Sequence, residues 1–179
     1  DTWVNDPQRV IDGIRDSLFL FSESLNATGD AFSLVGFSSR KRDPIRMHIL
    51  KKFNEKYSAE IRGRINKIKP GYYTRLGAAI RYATDQLIKQ GESRRLLLIL
   101  TDGKPNDLDQ YEGRFGIEDT RQAIISAKNL GLQPFCVTID EKGNRYLPHL
   151  FGSSGYAVIR NPLEMPKLLP RLYAQLTAS

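Results

Sequence analysis

The run of five apolar residues at positions 96–100 (LLLIL) restricts the fold more than any other feature of this sequence. It is short for a helix and lacks the alternation of a strand with one face in water, so it predicts a strand buried on both faces. Such strands occur in parallel sheets covered by helices, where binding sites lie beyond the carboxyl ends of the strands. Thr101, Asp102 and Gly103 follow without a spacer. The sequence therefore predicts that Asp102 lies at the edge of a binding site.

Helices and short apolar strands alternate along the chain. The predicted helices cover residues 7–28, 54–68, 74–90, about 118–130 and a stripe at 168–176. The further predicted strands cover residues 31–37, 45–50, 134–139 and 156–159. This order predicts an α/β, doubly wound (Rossmann-like), mostly parallel sheet with helices on both faces. No repeat or linker interrupts the pattern, so we expect a single domain over residues 1–179.

Composition narrows the class of protein. The chain has 179 residues, of which 40% are hydrophobic and 26% are charged, enough for one well-buried core. The lone Cys136 cannot form an internal disulfide, and no Cys and His spacing indicates a zinc site. The sequence contains no apolar run long enough to span a bilayer and no signal-peptide pattern. We therefore expect a cytoplasmic domain, and the first residue, Asp1 rather than Met, indicates a processed or excised piece.

Positive charge is concentrated in one part of the chain. Residues 40–81 hold thirteen Lys or Arg against three Asp or Glu, in a chain of net charge +7. A basic face attracts anionic partners such as nucleic acid, anionic lipid or an acidic protein surface. A solvated surface accounts for the same residues, and neither an RNA-binding motif nor a recognition helix accompanies them. Nucleic-acid binding through this region stays an alternative function.

Three loops supply oxygen groups that could meet at one edge of the sheet. Asp102 follows one strand, Ser38 and Ser39 follow another, and Thr74 begins a helix. A carboxylate and hydroxyls with no nearby thiol or imidazole suit a hard divalent cation such as Mg²⁺ or Mn²⁺. Thr74 as a helix cap and Asp102 as a turn residue account for the same pattern without a metal. The residues alone leave both interpretations open.

The segments LLLILTDG and GYYTRLGAAIRYA resemble the von Willebrand factor A domain, a doubly wound fold with a metal-ion-dependent adhesion site. The site of that family combines an Asp-x-Ser-x-Ser motif after the first strand, a Thr before a middle helix and an Asp after a later strand. Thr74 and Asp102 match the last two by position. The first motif is absent from this sequence. We expect it, with the first strand, upstream of Asp1, and expect weak or no metal binding by this piece alone.

Longer segments, among them TDGKPNDLDQYEGRFGIEDT and VTID, resemble the carboxy-terminal domain of the bacterial NorD and CbbO proteins. Such proteins work with a partner AAA+ ATPase of the MoxR type in activating nitric oxide reductase (NorD) or Rubisco (CbbO). The resemblance implies an adaptor that couples the ATPase to its client, with a carboxylate of the client bound to Mg²⁺ or Mn²⁺. It implies neither nucleic-acid binding nor membrane insertion.

The resemblance also implies roles for individual residues. Thr74 and Asp102 would be metal ligands, directly or through water. The expected partner-binding surface consists of Tyr72, Tyr73, Arg75 and Lys104, for which a solvated loop is the alternative interpretation. Ser38 and Ser39 would contact the metal ligands rather than the metal itself. Their position at the end of a predicted strand accounts for them as well.

A metal-dependent hydrolase is the enzymatic alternative, and it would use Asp102 and neighbouring carboxylates. Against it, His48 and His149 lie outside the strand-end motifs, and Cys136 lies within a predicted strand. The sequence contains neither a Gly-x-Ser-x-Gly elbow nor a Walker phosphate loop. We therefore predict that the domain is not an enzyme.

The loop after Asp102 is acidic, with Asp107, Asp109, Glu112, Glu118 and Asp119. A second cation or a contact with basic residues of the ATPase is one interpretation. We prefer the other, in which Asn106, Asp107 and Asp109 are ordinary turn residues.

Overall fold

The computed structural model describes residues 7–38, 46–68, 76–91, 95–101, 113–138 and 147–178. In chain order the elements are α1 Pro7–Thr28, β1 Leu34–Ser38, β2 Arg46–Lys51, α2 Ala59–Asn66, α3 Leu76–Ile88, β3 Leu96–Thr101, α4 Gly113–Asn129, β4 Gln133–Thr138, α5 Leu147–Phe151, β5 Tyr156–Val158, a 3₁₀ helix Pro162–Glu164 and α6 Met165–Thr177. These elements form two compact units. The first contains Asp1–Gly36, His48–Pro70 and Ile159–Ser179, and the second contains Phe37–Met47 and Gly71–Val158.

The first unit is built on α1, which packs against α2, α6 and the 3₁₀ helix. Pro7 opens α1 because its fixed φ suits a first helical turn. Gly29 follows the helix with φ of +78°, a conformation that favours glycine at a helix end. The predicted apolar stripe is confirmed by the buried side chains of Ile11, Phe21 and Leu25.

Two contacts tie the carboxy-terminal helix of the first unit to α1. The rings of Phe21 on α1 and Tyr173 on α6 meet edge to face, with 5.3 Å between their centroids. The Tyr173 hydroxyl donates a hydrogen bond of 2.8 Å to Asp30 Oδ2, which also accepts one of 2.9 Å from Thr28 Oγ1. Burial, together with the bond to Asp30, raises the pKa of Tyr173 to about 12. The Tyr173 hydroxyl is therefore protonated at neutral pH, and in this form it donates its hydrogen bond to Asp30.

Strands β3, β4 and β5 of the second unit form a parallel sheet in the order β3-β4-β5. Every residue of β4 except Gln133 is buried, as expected for a strand covered on both faces. The core around this sheet joins residues of α3, β3, α4, β4, α5 and the α4–β4 connection: Ile80, Ile99, Ala123, Ile124, Ala127, Leu132, Cys136, Leu147 and Phe151. The parallel sheet and its helices confirm the predicted α/β class. Strands β1 and β2 pair in a separate two-stranded sheet.

Two predicted helix starts are wrong by five residues. Helix α2 begins at Ala59 rather than at 54, because the preceding residues close a turn instead. In that turn the Lys52 N–H donates to Glu55 Oε1 at 2.9 Å, and the Glu55 N–H donates to the Lys52 carbonyl at 3.2 Å. Ser58 is then extended, with φ of −148° and ψ of 176°.

Helix α4 begins at Gly113 rather than near 118. Glu118 and Asp119 therefore lie within the second turn of α4 and not in the acidic loop, to which the sequence prediction also assigned them. The sequence prediction also missed α5, because five residues are too few for a periodic pattern. Leu147 and Phe151 are nevertheless its buried pair, four residues apart on one helical face. Within the described ranges, we find no helix with the length and apolar character of a membrane span.

Candidate functional site

The carboxyl ends of the parallel strands are aligned. Thr101 of β3 is the register partner of Thr138 of β4, and Thr138 is the partner of Val158 of β5. All three strands end at these residues. Asp102 follows Thr101 directly in the sequence. The strand that precedes Asp102 thus ends at the edge where parallel sheets bind ligands.

The Thr138 hydroxyl at this edge is buried and finds no hydrogen-bond partner within the described ranges. A buried hydroxyl without a partner costs about 1 to 3 kcal/mol. Hydroxyl and carboxylate oxygens are the groups that Mg²⁺ and Mn²⁺ take as ligands, either directly or through water. The Thr138 hydroxyl is one oxygen of this type, and Asp102, which follows Thr101 in the sequence, would add a carboxylate.

The predicted ligands themselves, Thr74 and Asp102, lie outside the described residues. So do Ser39 and the whole predicted partner-binding surface: Tyr72, Tyr73, Arg75 and Lys104. Ser38 is the last residue of β1, and its side chain is not described. The structure thus neither joins nor separates Thr74 and Asp102. It describes the elements beside them, the end of β3 and the start of α3.

The first turns of α3 are clamped to α4 by Asp119. Arg81 of α3 donates two hydrogen bonds to the Asp119 carboxylate, from Nη2 to Oδ1 at 2.8 Å and from Nη1 to Oδ2 at 3.2 Å. The same Nη2 donates to the Asp119 carbonyl at 3.2 Å. One turn earlier on α3, a Cβ added to Gly77 would overlap Asp119 Oδ2 and would lie 3.1 Å from Cγ. We call Gly77, Arg81 and Asp119 the α3–α4 clamp.

The clamp adds little to stability. The Arg81 and Asp119 side chains are 48% and 39% exposed, and ion pairs at such sites contribute about 0 to 1 kcal/mol. A glycine inside a helix costs about 0.5 to 1 kcal/mol relative to alanine, and Gly77 is within α3. Because these two terms nearly cancel, the main consequence of the clamp is the fixed geometry between two helices.

A second polar contact links α4 to α5. His149 Nε2 lies 3.1 Å from Glu118 Oε1, and Arg121 Nη1 lies 3.7 Å from the other oxygen of Glu118. Within the described parts of the chain, no three His, Cys, Asp or Glu residues are grouped so that they could hold a metal ion. Glu118 and His149 thus form a polar contact between α4 and α5.

Several cations of the basic region 40–81 are engaged within their own units. Arg62 pairs with Glu23 at 3.4 Å. Lys51 is buried, and its ammonium donates to the Phe32 carbonyl at 2.8 Å. Desolvation lowers the pKa of Lys51 from its ordinary value. Arg64 contacts two carboxylates, those of Glu55 at 3.2 Å and Glu60 at 2.9 Å. These contacts leave the described part of the region less basic at its surface than its composition indicates.

The sequence prediction missed Thr138 and the clamp for different reasons. The predicted strand continues to residue 139, which places Thr138 in its interior rather than at its end. Arg81 and Asp119 are 38 positions apart, and no local periodicity relates them. A signal is present at Gly77, because a glycine inside a helical pattern often marks a close approach of another element.

Comparisons with known proteins agree with this architecture. The family profile of the von Willebrand factor type A domain matches residues 8–165. Protein NorD of Stutzerimonas stutzeri is 56% identical over 162 residues, which are 90% of this chain and 26% of that protein. Protein NorD of Brucella melitensis biotype 1 is 44% identical over 176 residues, 98% of this chain and 28% of that protein. An uncharacterised protein of Pseudomonas aeruginosa is 54% identical over 176 residues, 98% of this chain and 29% of that protein. The chain spans less than a third of each relative.

Proposed function

The chain belongs to the von Willebrand factor type A domain family, and from this premise we propose that it is the metal-ion-dependent interaction domain of a NorD-type protein. In the proposed role it is an adaptor that couples a MoxR-type AAA+ ATPase to a client protein in the cytoplasm. Nitric oxide reductase and Rubisco are the two clients that its sequence motifs suggest. Because five of its relatives are named NorD, nitric oxide reductase is the first client to test.

The aligned carboxyl ends of β3 and β4 carry this proposal. Asp102 would reach the metal from the end of β3, and Thr74 from the start of α3. Mg²⁺ or Mn²⁺ held there would offer one coordination position to a carboxylate of the partner, a strong and directional contact. The buried Thr138 hydroxyl, which lacks a partner in the described ranges, could donate a hydrogen bond to a ligand carboxylate. Lys104, Arg75, Tyr72 and Tyr73 would contact the partner around the metal.

One observation favours an adaptor over a hydrolase. The Cys136 thiol is buried within β4, and desolvation raises its pKa to about 12. It therefore stays protonated at neutral pH and is a poor nucleophile. Cys136 therefore supplies no activated nucleophile.

The engaged cations favour an adaptor over a nucleic-acid-binding domain. Arg62 and Arg64 are paired with carboxylates, and Lys51 is buried. Nucleic-acid binding depends on cations that are available to neutralise phosphates. Binding of a client through a metal-bound carboxylate does not depend on these residues.

The proposal can be tested by capture of the ATPase and nitric oxide reductase on full-length protein, at two salt concentrations and with Asp102→Ala. A chelator that removed the metal from this domain would also remove Mg²⁺ from the nucleotide of the ATPase. The Asp102→Ala variant is therefore the decisive comparison. We expect this variant to lose client capture, while exposed Asp85→Ala on α3 retains it. Equal capture by Asp102→Ala would exclude the metal-dependent mechanism. Metal-independent affinity for DNA or RNA that falls steeply with salt would instead favour the nucleic-acid alternative.

A further inference from the structure

We propose that Arg81 and Asp119 are positioning residues for the metal site, because the α3–α4 clamp fixes the start of α3 against α4. This inference rests on the proposed function, since it concerns the same site. Neither residue would touch the metal or the client. Each would act through the placement of the helix that Thr74 precedes.

The clamp lies in the amino-terminal halves of α3 and α4, the halves nearer the proposed site. Helix α4 leaves the carboxyl end of β3 and returns to the amino end of the parallel strand β4. Helix α3 ends at Ile88, and β3 begins at Leu96 after a short connection, so the start of α3 lies toward the carboxyl edge of the sheet. Gly77 is the second residue of α3. The clamp thus holds α3 close to the point where the chain enters from Thr74.

The clamp restricts both the direction of the Asp119 carboxylate and its distance from α3. The paired hydrogen bonds from Arg81 fix the direction of the Asp119 carboxylate, because the guanidinium presents its donors in a planar fork. The missing Cβ of Gly77 fixes the distance, because any larger residue would overlap Asp119 Oδ2. Arg81→Lys keeps the positive charge and loses the planar pair of donors. Gly77→Ala keeps the helix and prevents the close approach of Asp119.

The buried interface beneath the clamp transmits this placement to the helix as a whole. Ile80 of α3 is packed with Ala123, Ile124 and Ala127 of α4 in one core cluster. A rotation of α3 about its axis would break the clamp and would displace Ile80 from this packing. The clamp therefore selects one rotational setting of α3, and with it the setting of the residue that starts the helix.

A metal-binding measurement on full-length protein tests this inference with Mn²⁺ as the probe. Titration followed by electron paramagnetic resonance gives the dissociation constant for wild type, Arg81→Lys, Asp119→Asn and Gly77→Ala. We expect the dissociation constant to rise about 10- to 100-fold in each variant, the range seen when residues that orient metal ligands are changed. Arg62→Ala breaks a comparably exposed pair, Arg62–Glu23, with side chains 48% and 52% exposed. We expect wild-type affinity from this control.

The outcomes separate the clamp from the proposed function. Wild-type protein that binds no Mn²⁺ contradicts both the metal site and the clamp. Wild-type protein that binds Mn²⁺, with unchanged affinity in Arg81→Lys and Asp119→Asn, contradicts the clamp alone. Far-ultraviolet circular dichroism identifies any variant that fails to fold, and Arg81→Lys is the mildest change. A folded Arg81→Lys protein with weakened Mn²⁺ binding supports the inference, because a role in folding alone would leave the affinity of folded protein unchanged.

Discussion

Thr101 and Thr138 are register partners at the last residue pair of the parallel β3–β4 ladder. This alignment brings two strands to an end at one edge of the sheet, with Asp102 next in the sequence on one side. On the other side lies the buried Thr138 hydroxyl, for which no described residue is a hydrogen-bond partner. A buried polar group in this state calls for a specific explanation, of which a bound ion is one.

Replacement of Thr138 by valine separates stability from metal binding. Valine removes the hydroxyl and keeps the shape, so we expect the metal-free full-length protein to gain about 1 to 3 kcal/mol in the opening free energy of β4. We expect the Mn²⁺ dissociation constant to rise about 10- to 100-fold. Hydrogen exchange on β4 peptides and a Mn²⁺ titration measure the two effects.

Thr84→Val is the matched control for that change. The Thr84 hydroxyl on α3 is also buried and without a partner among the described residues, so valine should raise local stability there as well. Its Mn²⁺ affinity should equal that of wild type. If both variants bind Mn²⁺ like wild type, Thr138 has no part in the site.

Two glycine substitutions should change stability in opposite directions. A Cβ at Gly155 would overlap the Phe151 carbonyl oxygen, and the Gly155 carbonyl accepts a hydrogen bond of 3.0 Å from the Cys136 N–H. We expect Gly155→Ala to lower the opening free energy of β4 and α5 by about 1 to 3 kcal/mol. A Cβ at Gly63 in α2 would meet nothing within 4 Å, so Gly63→Ala should stabilise α2 by about 0.5 to 1 kcal/mol.

Hydrogen exchange on peptides of α2, β4 and α5 measures these changes site by site. A Gly155→Ala protein with wild-type protection of β4 would show that the turn after α5 can shift without cost. That result would contradict the packing described for Phe151 and Gly155.

Tyr173→Phe should remove a pH dependence from the packing of α6. The pKa of Tyr173 is about 12 in the folded protein and about 10 in an unfolded chain. Because folding raises this pKa, the contribution of Tyr173 is fully present below pH 10 and is lost as the pH rises toward 12. The free energy difference between wild type and Tyr173→Phe should therefore be about 1 kcal/mol at pH 7 and should shrink across this window.

Thermal or urea unfolding of the region that contains α1 and α6, followed at pH 7, 10 and 12, gives this difference. Phe21→Leu loses the edge-to-face contact and keeps the hydroxyl, so its difference from wild type should stay constant over the same pH range. A Tyr173→Phe difference that also stays constant would mean that the Asp30 hydrogen bond adds nothing to stability.

Much of the fold could be predicted because it depends on local periodicity. Helix α1 was predicted with its observed ends, since Pro7 and Gly29 mark them and the apolar stripe between them is regular. Strand β3 was predicted because a continuous apolar run of its length is typical of a strand. Its burial was overestimated, since Ile99 is buried and the other residues of 96–100 are half-buried. Helix α2 was predicted too long, because the turn closed by Lys52 and Glu55 competes locally with the helix. Periodicity does not report such a competition.

The candidate site could be predicted only in part, because its contacts join residues distant in sequence. The position of Asp102 directly after an apolar strand follows from the sequence alone. The alignment of Thr101 with Thr138 depends on strand register, and the contact of Arg81 with Asp119 depends on how two helices pack. The strand register has no local signal in the sequence. The helix contact has one, Gly77, which can be interpreted only once Asp119 is known to lie beside it.

The most direct test of the proposed metal site is Mn²⁺ binding by full-length protein that carries Asp102→Ala, measured by calorimetry beside wild type and Asp85→Ala. Asp85 is an exposed carboxylate on α3 outside the proposed site, so it controls for the loss of one negative charge. We predict that wild type and Asp85→Ala bind Mn²⁺ with the same affinity and that Asp102→Ala does not bind it. Equal Mn²⁺ affinity in all three proteins would contradict the proposed site.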